Sequence, residues 1–185
     1  NGAVAIASSE LNLGIHFIAN INDRLYGNRS SWISANGLGG ASDLDPWIGV
    51  AFSSTVAVSS VAWGRDNGDN QEGVFKDRAT GVYTIQFTRA LNPGSTTPET
   101  GDASTGWQSL GQVEYTTGED TQQFAAYLRH QFEVSAGGNA VEATGLRIKV
   151  SDGQMAIDEL EVYSRHQTIT FAPMADKSYG DAPFA

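Results

Sequence analysis

Apolar and polar side chains alternate strictly along several short stretches of this chain, and clusters of Gly, Asn, Asp and Ser separate them. In Gly81–Thr88, Tyr83, Ile85 and Phe87 fall on one parity while Thr84, Gln86 and Thr88 fall on the other. That two-residue period is the mark of a strand with one buried face. Residues 145–151 repeat it, with Leu146, Ile148 and Val150 inward and Arg147, Lys149 and Ser151 outward. A second run, 155–163, follows Asp152-Gly153, so the two are expected as a hairpin or a closely linked strand pair. Its parity changes between Ile157 and Leu160, which places a bulge or a strand start near Asp158. Ile48, Val50 and Phe52 make another inward set. Val56 and Val58 then sit on even positions but Val61 and Trp63 on odd ones, which requires a bulge at Ser59-Ser60.

The separating clusters, at 36–45, 66–73, 92–106, 116–120 and 136–139, carry turn chemistry. Segment 121–132 has two periods: Phe124 with Tyr127 and Leu128 fits a helical face, whereas Leu128, His130, Phe132 and Val134 fit a strand. A strand preceded by a short helical turn is expected there. The 21 glycines and the many β-branched and aromatic residues fit strands joined by turns, and no stretch reads as a crossover helix. The fold class expected is therefore all-β, an antiparallel sandwich. A chain of 185 residues supports one core, burying roughly 70% of its unfolded surface. Residues 1–166 are expected as that domain. Residues 167–185 contain a single strand-like piece, Thr168-Ile169-Thr170-Phe171, and are expected to open a following module.

Charge narrows the partners. With 11 Lys and Arg against 21 Asp and Glu, the net charge is −10, which repels nucleic acid and anionic lipid surfaces. No window approaches the 18 apolar residues of a membrane span, so no membrane insertion is expected. The absence of cysteine removes disulfides, thiolate nucleophiles and thiolate metal sites together.

Five pieces, in order, resemble a known family. Val4-Ala5-Ile6-Ala7-Ser8-Ser9-Glu10 is similar to the opening of discoidin, or coagulation-factor type C, domains. Asn20-Ile21-Asn22-Asp23 with Ser30-Ser31-Trp32 resembles their first long loop, and Pro46-Trp47-Ile48-Gly49-Val50 a following strand. Gly145-Leu146-Arg147-Ile148 and Ala156-Ile157-Asp158-Glu159-Leu160-Glu161-Val162-Tyr163 resemble the last two strands. The chain departs from the pattern at Arg24, at Ala51 and in a loop two residues longer than usual before Trp32. The resemblance implies a galactose-binding-like jelly roll. The tail, Ile169-Thr170-Phe171 and Lys177-Ser178-Tyr179-Gly180-Asp181, is similar to the start of MBG-type immunoglobulin-like repeats, which implies flanking modules in an exported, cell-surface protein.

The same resemblance implies a structural Ca²⁺. A hard cation takes six to eight oxygens, which a curled loop can supply. Carried over by position, the ligands are the carbonyl of Asn20, the Asp23 carboxylate, a carbonyl near Asn28, the oxygens of Ser30, with Ser31 as the alternative, and Glu159. The competing reading is that Asp23 and Ser30 only cap turns.

Residues 65–73, Arg-Asp-Asn-Gly-Asp-Asn-Gln-Glu-Gly, form the most polar loop. Gly68 at the third position breaks calcium-loop spacing, but amides and carboxylates of this kind can bond sugar hydroxyls. Arg65, Asn67, Asp69 and Asn70 are the candidates, beside an ordinary solvated turn as the plainer reading. A sugar also wants an aromatic ring to stack on. Trp32, Trp47, Trp63 and Trp107 lie in or beside strand patterns, which leaves Tyr26 as the expected exposed ring. His16, His130 and His166 are scattered and match no metalloprotease pattern, and no nucleophile elbow is present. The expected function is a non-catalytic module recognising a glycan or another cell-surface ligand. The alternatives are an adhesive spacer without a small ligand and a polysaccharide-acting enzyme.

Overall fold

The computed structural model describes residues 2–11, 13–36, 41–65, 78–115, 128–150 and 155–164. Their strands are β1 (Val4–Ala7), β2 (Trp32–Ile33), β3 (Trp47–Arg65), β4 (Gly81–Thr88), β5 (Gln108–Tyr115), β6 (Leu128–Glu133), β7 (Val141–Val150), β8 (Ala156–Ile157) and β9 (Glu159–Ser164). Short 3-10 turns occupy Ile18–Asn22, Asn28–Ser30 and Pro93–Ser95, and among the described residues there is no α-helix. The strand pairs are antiparallel. The all-β expectation is met.

The axis of the fold is β3, which runs for 19 residues. Its first half lies between β1 and β7 in the order β1-β3-β7-β4-β5, and its second half lies between β9 and β6. Two irregularities let one strand serve both layers. The register with β7 shifts between Ala51 and Val56, and that with β9 between Val58 and Ser60. The second is the bulge that the parity change at Ser59-Ser60 requires. Bulges bend a strand and increase its twist, so the Trp63 half of β3 closes over the first layer. The Trp63 ring lies 5.1 Å from Tyr83 and 4.7 Å from Phe132. Ile48, Val50, Tyr83, Ile85, Leu146 and Ile148 meet Val61, Trp63 and Leu160 in one core. Burying each such side chain contributes about 2 kcal/mol.

Two expectations need correction. Of the readings for the run 155–163, the hairpin with β7 does not form, whereas the strand start near Asp158 does, at Glu159. The run divides at Asp158: β8 pairs with β2, and β9 pairs with β3. The parity change seen in the sequence is thus a change of sheet. Nor are Gln86, Thr88 and Arg147 solvated, since all three are buried. Residues 89–107 cross the outer face of β4 and β7 as a strap. Arg89 N–H donates to the Ala103 carbonyl at 2.6 Å and Thr144 Oγ1 to the Ala90 carbonyl at 2.6 Å. A Cβ on Gly145 would stand 2.7 Å from Pro93 Cβ, so only glycine admits the strap there. Beneath it, Arg147 lies between the rings of Trp47 and Trp107, with Cζ 4.8 and 4.4 Å from their centroids. Its Nε donates to Gln86 Oε1 at 2.6 Å and its Nη2 to Glu99 Oε1 at 2.9 Å.

Segment 121–127, the Asp152-Gly153 turn and residues 167–185, expected to begin a second module, lie outside the described residues.

Candidate functional site

The strand ends define one working end of the sandwich. Arg65 pairs with Leu128, Gly81 with Tyr115 and Tyr83 with Val150, and the Tyr115 hydroxyl bonds the Arg65 backbone. Segments 66–77, 116–127 and 151–154 therefore all depart from neighbouring strand ends. Glu159 pairs with Gly64, which brings the start of β9 to this end as well.

The early loop is fastened there by buried carboxylates. Asp158 accepts the Gly27 N–H at 2.8 Å and the Ser31 hydroxyl at 2.5 Å, while its own N–H donates to the Gly64 carbonyl at 3.0 Å. Ser31 Oγ also reaches the Gly27 carbonyl at 3.3 Å. The Asn20 amide gathers the same loop by donating to the carbonyls of Ile15 at 2.9 Å and Ser31 at 3.0 Å. Asp158 is absent from the sequence-derived set, although an acid at the point where an inward run breaks parity was a usable signal.

The structure brings Asp23 and Glu159 together. Their carboxyl groups share a hydrogen bond, and the Arg24 N–H donates to Glu159 Oε1. Glu159 is only 5% exposed. Burial, with the Asp23 charge adding to it, pushes its carboxyl up to about 8. Asp23 Oδ1 accepts the Leu25 N–H at 2.8 Å, and the Asn20 carbonyl faces the Asp23 N–H at 3.5 Å. Two facing acids repel once both are ionised, and a cation between them relieves that repulsion. The two carboxyl groups and the Asn20 carbonyl are oxygen donors of the type a hard cation takes. Among the described residues no three His, Asp or Glu side chains gather, so carbonyls and hydroxyls would supply the remaining oxygens. Asn28 opens the 3-10 turn that Ser30 closes, and Ser30 N–H donates to the Gly27 carbonyl at 2.8 Å. Ser31, the alternative ligand, is committed to Asp158.

The sugar-directed candidates divide. Arg65 does not belong to the polar loop: it is the last residue of β3 and is fully buried, because its strand is paired with β6. Asn67, Asp69 and Asn70 lie outside the described residues. Tyr26 is half-buried rather than exposed, and its hydroxyl donates to Glu161 Oε1 at 3.0 Å. Among the described residues the exposed rings are Phe17, 47% accessible, and Tyr163, 37% accessible, whose hydroxyl donates to the other Glu161 oxygen. Sequence reasoning also missed His16. Its buried ring meets the Ser31 carbonyl through Nδ1 at 3.1 Å. Burial first, and then the charges of Arg65 and Arg78, hold it below the usual histidine value. The charges of Arg65 and Arg78 act on the His16 ring although no local motif links residues 16, 65 and 78.

No family model and no curated protein sequence matches the chain significantly. Solved structures do match its fold. The family 32 carbohydrate-binding module of C. perfringens NanJ, in complex with galactose, superposes with a TM-score of 0.59 at 15% identity, over 87% of this chain and 93% of that one. A fucolectin from Morone saxatilis (striped bass) serum gives 0.58 at 17% identity, over 90% and 47%. The lectin domain of lectinolysin, complexed with Lewis B antigen, gives 0.55 at 15% identity, over 90% and 95%. The chain thus has the galactose-binding-like jelly-roll fold, as its sequence resemblance implies.

Proposed function

We propose that the chain is a non-catalytic glycan-binding module of a larger exported protein, acting outside the cell or at its surface, with flanking modules that begin near residue 167. The observation that carries this reading is the likeness in fold to structures described as bound to galactose and to Lewis B antigen. Function lives in sites grafted onto folds, and the site here is the end at which three connecting segments depart beside the Asp23–Glu159 corner. In this reading Asn67, Asp69 and Asn70 offer amide and carboxylate groups to sugar hydroxyls. The two candidates within the described residues are Arg65, at the end of β3, and Tyr26, whose hydroxyl meets Glu161. Ca²⁺ bound by Asp23 and Glu159, with oxygens of Asn20, Asn28 and Ser30, would fix the early loop against β9. Among the described residues no helix is long and apolar enough to cross a membrane.

A binding role agrees with the acid geometry. Glycosidase carboxyl pairs stand about 5 Å apart or more, whereas Asp23 and Glu159 share a hydrogen bond. The test is a neutral-glycan array probed with the full chain. Binding that weakens in an Asn67→Ala, Asn70→Ala double variant is the expected result. Silence across the array at millimolar concentration would overturn the proposal and leave the adhesive spacer.

A further inference from the structure

We propose a second saccharide-binding cleft at the opposite end of the β9-β3-β6 layer, formed by the Ser59 bulge, Gln131, Asn139 and the ring of Tyr163. It rests on the glycan-binding reading above and extends it to a separate place on the molecule. The cleft encloses about 460 Å³ between β3, β6, β9 and the turn before β7. Ser60 pairs with Glu133 at its floor and Arg65 with Leu128 at the working end. Those five residues of strand separate the two floors by about 17 Å, while the Tyr26 and Tyr163 hydroxyls meet at Glu161 on the rim between them.

The bulge produces the cleft. Val58 pairs with Ser164 and Ser60 with Tyr163, so Ser59 is the extra residue. Its hydroxyl donates to the Tyr163 carbonyl at 3.2 Å, and its carbonyl accepts the Val134 N–H at 2.8 Å. The β9 and β6 flanks are thus held apart by a polar residue where a regular ladder would close. The rim is the turn bridged between Ala136 and Asn139, which Gly137 and Gly138 complete at φ +60° and +80°.

The lining selects the ligand class. It combines the hydroxyls of Ser59, Ser60, Ser135 and Ser164 with the amides of Gln131 and Asn139. Among the described lining residues Glu133 is the single carboxylate and none is cationic. Phosphate and sulfate esters find no counter-charge there, and one acid does not make a divalent-cation site. Hydroxyls and amides both donate and accept, which is what a neutral polyol needs. Ser60 is buried, and its hydroxyl accepts the Gln131 Nε2–H at 3.0 Å, leaving the hydroxyl proton for a donor role.

Tyr163 supplies the apolar face. Its ring is fixed in advance, because Glu161 holds its hydroxyl and is itself held by Tyr26. A ring already immobilised loses little entropy when a pyranose stacks on it. Two clefts at opposite ends would let one module bridge two glycan chains.

The test is an amide-shift titration of the full-length ¹⁵N-labelled chain with neutral oligosaccharides that bind on the array. Shifts at Ser59, Gln131 and Asn139 are expected, alongside those at the working end. Asn139→Ala, at an exposed turn, should weaken the cleft response about tenfold and leave the working end unchanged. Tyr163→Phe, which keeps the ring but frees it from Glu161, should weaken it less. Shifts confined to residues beside Arg65 and Glu159 would overturn the second cleft while sparing the proposed function. Absence of shifts at both ends would overturn both.

Discussion

Gly27 donates its backbone N–H to the Asp158 carboxylate over 2.8 Å, although 131 positions separate the two residues. The second Asp158 oxygen takes the Ser31 hydroxyl, so one buried acid closes the early loop onto the junction of β8 and β9. Bonds to an ionised acceptor in a low-dielectric interior are strong, and an abandoned buried donor is costly. Asp158→Ala should destabilise the fold by about 3 kcal/mol. Asp158→Asn, which keeps one acceptor oxygen, should cost less. Urea unfolding followed by tryptophan fluorescence measures both, and an unchanged midpoint for Asp158→Ala would show that the loop is held elsewhere.

Asp23 and Glu159 set the expected response to cations. Adding EDTA should lower the melting temperature, and Ca²⁺ should restore it. At a hundredfold excess over Kd, a ligand of the folded state contributes on the order of 3 kcal/mol. Asp23→Ala should melt at the same temperature with and without Ca²⁺. Identical melting curves for the unaltered chain in EDTA and in Ca²⁺ would remove the cation from the proposed site.

How far the fold was legible follows from the range of each cause. Inward residues such as Tyr83, Ile85, Leu146 and Ile148 obey a local period, and the Ser59 bulge and the Asp158 break each show as a slip in it. Burial of Arg147 has no local sign, since it depends on a turn-rich strap folding over a face that reads as solvated. Trp107, an aromatic at the end of that polar stretch, was the available hint; it is almost fully buried. The candidate site was half legible for the same reason. Family resemblance aligned Asp23 with Glu159, but the action of the Arg65 and Arg78 charges on His16 links three segments distant in sequence.

The Trp47–Arg147–Trp107 stack makes its own prediction. Arg147→Ala removes the cation between the rings and leaves Gln86 and Glu99 without its donors, at a cost of about 3 kcal/mol. Arg147→Lys should recover little, because an ammonium has neither the planar stacking face nor the fork that reaches both acceptors. Tryptophan emission should shift to longer wavelength as the strap loosens and water reaches Trp107. Unchanged emission and stability in Arg147→Ala would mean that the strap holds without its arginine.

Glu99, on the strap, gives the fold an acid limit. Its carboxyl is held below its ordinary value first by the Lys149 hydrogen bond at 2.6 Å, against opposing burial, and further by the Lys149 charge, a Gln86 bond and the Arg147 charge. A carboxyl that titrates lower in the folded chain than its unfolded value of 4.5 adds stability above pH 4.5. That contribution is lost as pH falls from 4.5 through the folded value, because the folded state gives up its bound partner when the acid takes a proton. Denaturant midpoints should therefore fall in this window, and the fall should be shallower in Glu99→Gln, which cannot ionise. Salt should blunt the difference, since Glu99 is 43% exposed and its ion pairs are partly screened. Equal slopes for the two proteins at low salt would show that the strap does not depend on this charge.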